Sequence, residues 1–268
     1  MPEHFSDFVE PFTEPHYSSW DVATHGPQPR PDWVVTELAA VDAELGLLKT
    51  GKEADVHLVS RTAPDGRQAL MAAKRYRAAE HRMFHRDAGY TEGRRVRRSR
   101  ETRAMARRTE FGREQLAGRW AIAEFEALGR LWEQGAAVPY PVQLSGTELM
   151  LEFLGTDDGR PAPRLVQLRP TAAELAELFD QCVDAMRILA GLGYAHGDLS
   201  PYNVLVHEGR LVLIDLPQVV DLFANPRGME FLERDCRNIC RWFAARGLEA
   251  GEFEHLFGDL TAEAVARW

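Results

Sequence analysis

Residues 196–215 read His196-Gly-Asp-Leu-Ser-Pro-Tyr-Asn203, then Val-Leu-Val-His-Glu-Gly-Arg, then Leu211-Val-Leu-Ile-Asp215. An Asp follows the His by two positions, an Asn follows that Asp by five, and a second Asp ends an apolar run. Phosphoryl transfer needs two acceptor groups that hold Mg²⁺ against phosphates and one carboxylate that orients the attacking oxygen. The residue types and their order therefore predict phosphoryl-transfer chemistry.

The same order occurs in the catalytic loop and the metal-binding strand of protein kinases. The alternative is a turn in which Asp198 and Asn203 only cap backbone groups. A turn does not explain why Asp215 stands at the end of the apolar run Leu211–Ile214, where a structural carboxylate has no use. The kinase-like interpretation accounts for both the spacing and the strand context.

The composition bounds the kind of protein. A chain of 268 residues can form one large domain or two lobes with a sizeable core. A net charge of -9 argues against a general nucleic-acid binder, and three cysteines are too few for a disulfide framework. No run approaches ~20 apolar residues and no basic-then-apolar signal opens the chain. We therefore expect a cytoplasmic protein with buried thiols.

The N-terminal third begins with residues 1–32, which are rich in Pro, aromatic and acidic residues and lack periodicity; we expect a flexible arm there. The segment from Gly46 to Lys52 nearly matches a Walker A loop, but Glu53 stands where Ser or Thr must bind Mg²⁺. Since Ala54–Ser60 has the pattern of a strand, we expect a strand–turn–strand loop over phosphates instead.

A lysine and a glutamate further along the chain suggest a buried ion pair. Lys74 ends the apolar segment that starts at Leu70, resembling the kinase strand that carries the nucleotide-binding lysine. A cation in that place needs an anionic partner. Helical periodicity is predicted over Phe111–Glu133, where Glu124 and Glu126 are the candidates to reach Lys74.

The stretch between these two elements, residues 77–119, is strongly basic. It is either a solvated loop or a surface for phosphate backbones or acidic partners, because clustered Arg binds phosphates in bidentate fashion and releases counterions. The arginines that define it are Arg94, Arg95, Arg97, Arg98, Arg100, Arg103, Arg107 and Arg108.

The second half reads as a linker followed by helices. A hairpin signal at Leu144–Leu149 leads into 150–155, which suits a hinge between two lobes. Thr171-Ala-Ala-Glu174 is a capping box, and the helix that follows should end near Gly191. A further helix is predicted over Met229–Arg246, with Glu233, Arg234 and Asp235 on its outer face.

These elements predict an α+β, bilobal protein-kinase-like fold, with a small antiparallel β N-lobe carrying one main helix and a mostly helical C-lobe. The expected division is a flexible N-terminal arm at 1–32, an N-lobe at 33–149 that includes the Arg-rich insert 77–119, and a C-lobe at 150–268. The C-lobe contains the hinge 150–155 and the catalytic loop 196–203.

The chain resembles the RIO family of atypical protein kinases and ATPases, from about Leu45 to Gly247, in a compact prokaryotic form. Ordinary kinases have Asp-Phe-Gly and a peptide-binding activation loop, and both are missing here. The motifs that carry the resemblance are Thr50–Ala54, Lys74, Trp120–Glu124, Met150–Gly155, Pro161–Pro163, His196–Asn203, Ile214–Val219 and Glu230–Cys236.

The resemblance implies roles for individual residues. Lys74 would contact the nucleotide phosphates and pair with Glu124, and Asp198 would be the catalytic acid–base residue. Asn203 and Asp215 would hold Mg²⁺, or Mn²⁺ in its place, and Asp215 could accept the phosphoryl group as a transient aspartyl-phosphate. The residues that would line the phosphate loop are Thr50, Gly51 and Lys52, and those whose backbone would hold adenine are Glu152 and Leu154.

The function favoured is a Mg-ATP-dependent, RIO-type serine protein kinase or ATPase that transfers the γ-phosphoryl group to itself, a protein or water. One alternative is an ATP-gated switch whose basic segment 77–119 binds ribosomal RNA or a pre-ribosomal particle. The other is a small-molecule phosphotransferase of the aminoglycoside or choline type, which shares the His-Gly-Asp loop. The sequence does not name the substrate.

Overall fold

A seven-stranded antiparallel sheet forms the N-terminal part of the computed structural model, which describes residues 14–77, 110–216, 219–248 and 253–266. The spatial order of its strands is β1-β3-β4-β5-β7-β6-β2. Their bounds are β1 His16–Tyr17, β2 Thr24–His25, β3 Val41–Thr50, β4 Ala54–Thr62, β5 Gln68–Tyr76, β6 Pro141–Ser145 and β7 Glu148–Glu152. The candidate site lies against one face of the sheet, beneath the long central strands β3, β4 and β5.

The two short strands at the sheet edges come from the segment expected to be a flexible arm. His16 of β1 pairs with Asp42 of β3, and β2 pairs with β6. Between them Trp20 is 6% exposed and stacks on His25. Residues 14–32 are thus part of the N-lobe, which corrects the expectation for that portion of 1–32; the first 13 residues lie outside the described ranges. Strands of two residues are too short to leave a periodic pattern.

The main helix of this lobe is α1, Glu110–Glu133, which confirms the helix predicted over almost the same range. It packs against β5, β6 and β7 through the buried side chains of Ala121, Phe125, Leu128 and Leu131. These positions follow the helical repeat, so one side of α1 faces the sheet and carries Glu124 with it.

The remaining part is mainly helical, as expected. Its helices are α2 Ala172–Gly191, α3 Gly228–Ala244 and α4 Phe253–Ala266, and its strands are β8 Tyr194–Ala195, β9 Val204–His207, β10 Arg210–Leu213 and β11 Val220–Asp221. The capping box at the start of α2 is present, since the N–H of Glu174 donates to Thr171 Oγ1 and that of Thr171 to Glu174 Oε2. Among the described residues, no helix is long and apolar enough to cross a membrane.

A continuous core joins the two lobes. Buried Leu128 and Leu149 of the N-lobe belong to the same cluster as Leu189 and Phe243 of the C-lobe. The N–H of Leu213 at the end of β10 donates to the carbonyl of Ala137, just beyond α1, at 2.8 Å. These contacts hold the end of β10 beneath α1. The α+β class and the two-lobe organisation are confirmed.

Candidate active site

Lys74, Glu124 and Asp215 meet beneath the sheet although they are far apart in the chain. Lys74 Nζ donates to Glu124 Oε1 at 2.8 Å and to Asp215 Oδ1 at 2.9 Å. Lys74 is 8% exposed and Glu124 1% exposed. The strand β5, the helix α1 and the segment after β10 therefore each supply one member of an ionic cluster, in which Lys74 and Glu124 are buried and the Asp215 side chain is 36% exposed.

The charges in this cluster stabilise one another. Burial alone would lower the pKa of Lys74, but the carboxylates of Glu124 and Asp215 outweigh burial and raise it above its usual value. Burial would raise the pKa of Asp215, yet Lys74, with Lys49, lowers it to about 2. Lys74 is consequently cationic and Asp215 ionised at neutral pH.

Asp215 has a backbone conformation that is uncommon for a residue with a side chain. Its φ is +66°, in the left-handed region. Both neighbours are held: the N–H of Leu216 donates to Glu124 Oε1 at 3.1 Å, and that of Ile214 donates to the carbonyl of Asn203 at 3.0 Å. His196 Nε2 also donates to the carbonyl of Ile214 at 3.1 Å. A strained residue that its surroundings hold so firmly is typical of a functional position.

The loop at 196–203 lies next to Asp215. Asn203, 9% exposed, donates its Nδ2 to the carbonyl of Asp198 at 2.9 Å, so its Oδ1 is the atom left to bind a cation. Asp198 is exposed, and its carboxylate makes no hydrogen bond or ion pair within the described ranges. The loop thus combines an anchored amide with an accessible carboxylate.

Asp235 of α3 supports this loop, although we expected it on the outer face of its helix. It is 1% exposed and accepts hydrogen bonds from the N–H groups of Gly197 at 2.8 Å and Leu199 at 2.9 Å, on either side of Asp198. The expectation was wrong because Asp235 lies three residues after Leu232 and four before Ile239, both buried. This place on the apolar stripe is the sequence signal that could have revealed it.

The predicted phosphate-loop residues occupy the turn between β3 and β4. The N–H of Gly51 donates to the carbonyl of Ala54 at 2.9 Å, and an added Cβ at this position would approach that same oxygen to 2.9 Å. Thr50 and Lys52 are exposed. It is Lys49, which the sequence reasoning did not single out, whose Nζ comes within 3.7 Å of Asp215 Oδ2.

The predicted hinge residues lie at the end of β7 and directly after it. The backbone N–H of Glu152 donates to the carbonyl of Tyr140, and the carbonyl of Leu154 accepts from the N–H of Ala162. The N–H of Leu154 has no hydrogen-bond partner in the part of the chain that the structure describes. It is therefore a backbone donor that a bound ligand could use.

Comparison with known proteins decides the family. A family model described as the RIO domain matches residues 62–256. The chain belongs to the RIO family. The RIO-type serine/threonine-protein kinase Rio1 of Haloferax volcanii is 36% identical over 225 residues, an alignment that covers 82% of this chain and 70% of that protein. Membership in RIO places the chain in a family of serine/threonine kinases.

Other RIO relatives are longer than the shared region. Serine/threonine-protein kinase RIO1 of Caenorhabditis elegans is 32% identical over 213 residues, 79% of this chain but 39% of that protein. Human RIO3 is 37% identical over 131 residues, 48% of this chain and 25% of that protein. The chain thus spans well under half the length of these two relatives.

A solved RIO structure has the same fold. The Rio2 kinase from Chaetomium thermophilum, described as an ADP/Mg²⁺-phosphoaspartate complex, superposes with a TM-score of 0.55 at 21% identity. The match covers 83% of this chain and 66% of that one. The kinase-like bilobal fold predicted from the sequence is confirmed.

The oxygen donors of the RIO chain fit a magnesium ion that is shared with a ligand. Asp215 supplies an ionised carboxylate and Asn203 an amide oxygen, and Mg²⁺ prefers oxygen ligands at such sites, with one or two carboxylates plus phosphates. Across the described ranges, no group of three or more His, Cys, Asp or Glu could hold a metal alone. The residues suit a metal that arrives with a phosphate group.

The partner expected for the Arg-rich segment of this RIO chain stays a prediction. Residues 78–109, which contain the arginines from Arg94 to Arg108, lie outside the described ranges. Contacts with RNA or a pre-ribosomal particle therefore remain a prediction from the sequence.

Proposed function

We propose that this RIO chain binds Mg-ATP and transfers its γ-phosphoryl group to a serine of itself or of another protein, or to water. The observation that supports the proposal best is the convergence of Lys74, Glu124 and Asp215 beside the Asp198 loop. In this proposal the predicted lobes, 33–149 and 150–268, stay divided near the hinge 150–155, and the N-lobe also includes residues 14–32.

In this proposal each residue has a role that follows from its contacts. Glu124 holds Lys74 in place, so that the ammonium can contact phosphate oxygens without searching for its position. Asn203 and Asp215 would hold Mg²⁺, which, when bound, neutralises charge on the phosphates. The N–H of Leu154 and the backbone of Glu152 would bind adenine, and Thr50, Gly51 and Lys52 would cover the phosphates.

Asp198 would orient the acceptor hydroxyl. Its carboxylate is exposed and has no partner within the described ranges, whereas its backbone is anchored by Asn203. An anchored backbone with a free carboxylate is what a group that accepts a proton from an incoming hydroxyl requires. An exposed carboxylate is also accessible to a serine on the surface of a protein.

Asp215 is also a candidate phosphate acceptor. Its ionised carboxylate oxygen would attack the γ-phosphorus, the bond from that phosphorus to the β–γ bridging oxygen would break, and ADP would leave. Water would then release inorganic phosphate. The Chaetomium thermophilum Rio2 structure is described as a phosphoaspartate complex, which supports testing this step here.

The two alternative functions remain predictions. The ATP-gated RNA switch depends on the basic segment 77–119, of which residues 78–109 lie outside the described ranges. A role for Mn²⁺ as the metal has no support in the comparisons. RIO membership favours a protein substrate over an aminoglycoside-type small molecule.

The experiment is a single-turnover incubation with Mg²⁺ and γ-labelled ATP, following free phosphate and protein-bound label. Acid-stable phosphoserine would support the protein kinase. Label that hydroxylamine removes, with slow phosphate release, would support turnover through Asp215. Neither label nor free phosphate, with or without an added protein acceptor, would contradict the proposal.

Substitutions at Lys74 and Asp198 test whether these residues take part in phosphoryl transfer. Lys74→Met and Asp198→Asn should each lower turnover by about a hundredfold or more, because each removes a charged group from the transition state. Arg187→Ala is the control, since Arg187 pairs with Asp184 on the exposed side of α2. Near-normal rates for both site variants would refute these assignments.

A further inference from the structure

Two lysines, one on β3 and one on β5, project from the same face of the sheet toward Asp215. In the sheet register, Lys49 of β3 lies opposite Val56 of β4, and Val56 lies opposite Lys74 of β5. Residues directly opposite each other in adjacent strands have side chains on the same face. Lys49 and Lys74 therefore flank Val56, and their ammonium groups approach different oxygens of the Asp215 carboxylate.

An irregularity in β3 gives Lys49 this orientation. Leu47 pairs with His57 and Lys49 with Val56, so the register shifts between Leu47 and Lys49. Such a bulge adds one residue to a strand and redirects the side chains that follow. Without the bulge, one-to-one pairing would place Leu48 opposite Val56 and Lys49 on the opposite face.

The charges around Lys74 leave a place for a second cation. Lys74 contacts both Glu124 and Asp215, so its one positive charge is already shared between two carboxylates. Lys49 makes only a looser contact, with Nζ 3.7 Å from Asp215 Oδ2, and its side chain is 39% exposed. It can therefore transfer its contact from the carboxylate to an anionic ligand beside it.

We propose that Lys49 is a second phosphate-binding lysine of this site, contacting the terminal phosphates of a bound nucleoside triphosphate. This inference rests on the proposed function, since it assumes that the phosphates lie beside Asp215. Lys49 offsets the negative charge that Asp215 and the polyphosphate bring together, an arrangement that lysine as a compact charge with a flexible stem suits well. It determines affinity for phosphate, not for adenine.

A different role for Lys49 would give the opposite result. If the ammonium only occupied the Asp215 carboxylate, it would compete with the metal, and its removal would strengthen Mg-nucleotide binding. The sign of the change in affinity thus distinguishes the phosphate contact from a competing cation.

The test is calorimetric titration of the full chain with Mg-ATP and with adenosine. Lys49→Met retains most of the stem and removes the charge, and Lys49→Arg restores a cation. Arg67→Met is the matched control, because Arg67 pairs with Asp65 and Glu37 at the turn between β4 and β5.

We expect Lys49→Met to weaken Mg-ATP binding about tenfold, the loss of one modest charge-assisted hydrogen bond. Lys49→Arg should recover most of that affinity, and adenosine affinity should be unchanged in every variant. Unchanged or tighter Mg-ATP binding by Lys49→Met, with wild-type binding intact, would overturn the role of Lys49 alone. No Mg-ATP binding by the wild type would overturn the proposed function and this inference with it.

Discussion

Asp235→Asn is the change that best tests how the loop at 196–203 is held. The carboxylate of Asp235 is 1% exposed and accepts from the N–H groups of Gly197 and Leu199 at 2.8 and 2.9 Å. Asparagine has the same shape, but one of its two terminal atoms is an NH₂ group that cannot accept. One of the two buried backbone donors around Asp198 would therefore lose its partner.

The expected loss in the free energy of unfolding follows from this loss of one hydrogen-bond acceptor. A hydrogen bond to a charged group contributes about 1.5–3 kcal/mol. Burial raises the pKa of Asp235, which means that the buried charge itself has a cost, and removing it offsets part of the loss. We expect a net loss of about 2 kcal/mol in the free energy of unfolding, or about 4–8 °C in Tm for a chain of this size.

The effect on turnover should exceed the effect on nucleotide binding. Asp198 lies between the two affected residues, and a displacement of about 1 Å in a catalytic group can lower a rate about a hundredfold. We therefore expect kcat to fall by about that factor, while Kd for Mg-ATP changes little because Asp235 supports the loop and not the phosphate or adenine contacts.

Thermal unfolding, single-turnover rates and nucleotide titration measure the three quantities. Glu233→Gln is the matched control, because it makes the same carboxyl-to-amide change two residues away, where Glu233 pairs with Arg237 at the helix surface. If Asp235→Asn and Glu233→Gln showed the same Tm and the same rate, the supporting role of Asp235 would be refuted.

Three further predictions concern the charged and polar groups inside the fold. The pKa of Asp215, about 2 when folded, lies below its usual value near 3.8, so the stability that this carboxylate contributes is complete above about pH 4 and is lost as the pH falls toward 2. Asp215→Asn should therefore flatten the acid-unfolding curve between these pH values and abolish the Mg²⁺ dependence of nucleotide binding. An unchanged acid-unfolding curve would contradict this link between the pKa and stability. Arg61 and Asp42 are both buried and are joined by two hydrogen bonds of 2.7 and 2.8 Å. Asp42→Asn alone leaves a buried cation without its counterion and should cost about 3–5 kcal/mol in denaturant unfolding, whereas the double variant Arg61→Met with Asp42→Leu should be less destabilised. A double variant less stable than the single one would show that the ion pair itself makes the larger contribution. Burial raises the pKa of the Cys182 and Cys236 thiols to about 12 and that of Cys240 above its usual value. A disulfide reagent at pH 8 should therefore react with the three thiols only when the protein unfolds. Fast labelling of the native protein would contradict their burial.

Much of the local structure could be predicted because its cause is local. The capping residues at Thr171 and Glu174 satisfy backbone groups three positions apart, and the helix they start is where the sequence placed it. The strand after Gly51 was separable from a Walker helix by its residue types alone. The flexible arm, for residues 14–32, and the outer position of Asp235 were wrong because both depend on contacts with distant elements.

The sequence by itself determined which residues are candidates for phosphoryl transfer, since their order and spacing lie within short motifs. Only the tertiary structure decided which of them touch: Lys74 meets Glu124 across 50 residues and Asp215 across 141. It also decided that Lys49 faces the site, because a register shift in β3 reverses the alternation that a regular strand would have. Periodicity encodes which face of an element is buried, whereas the neighbour it is buried against, and the residues brought together there, depend on how the elements pack.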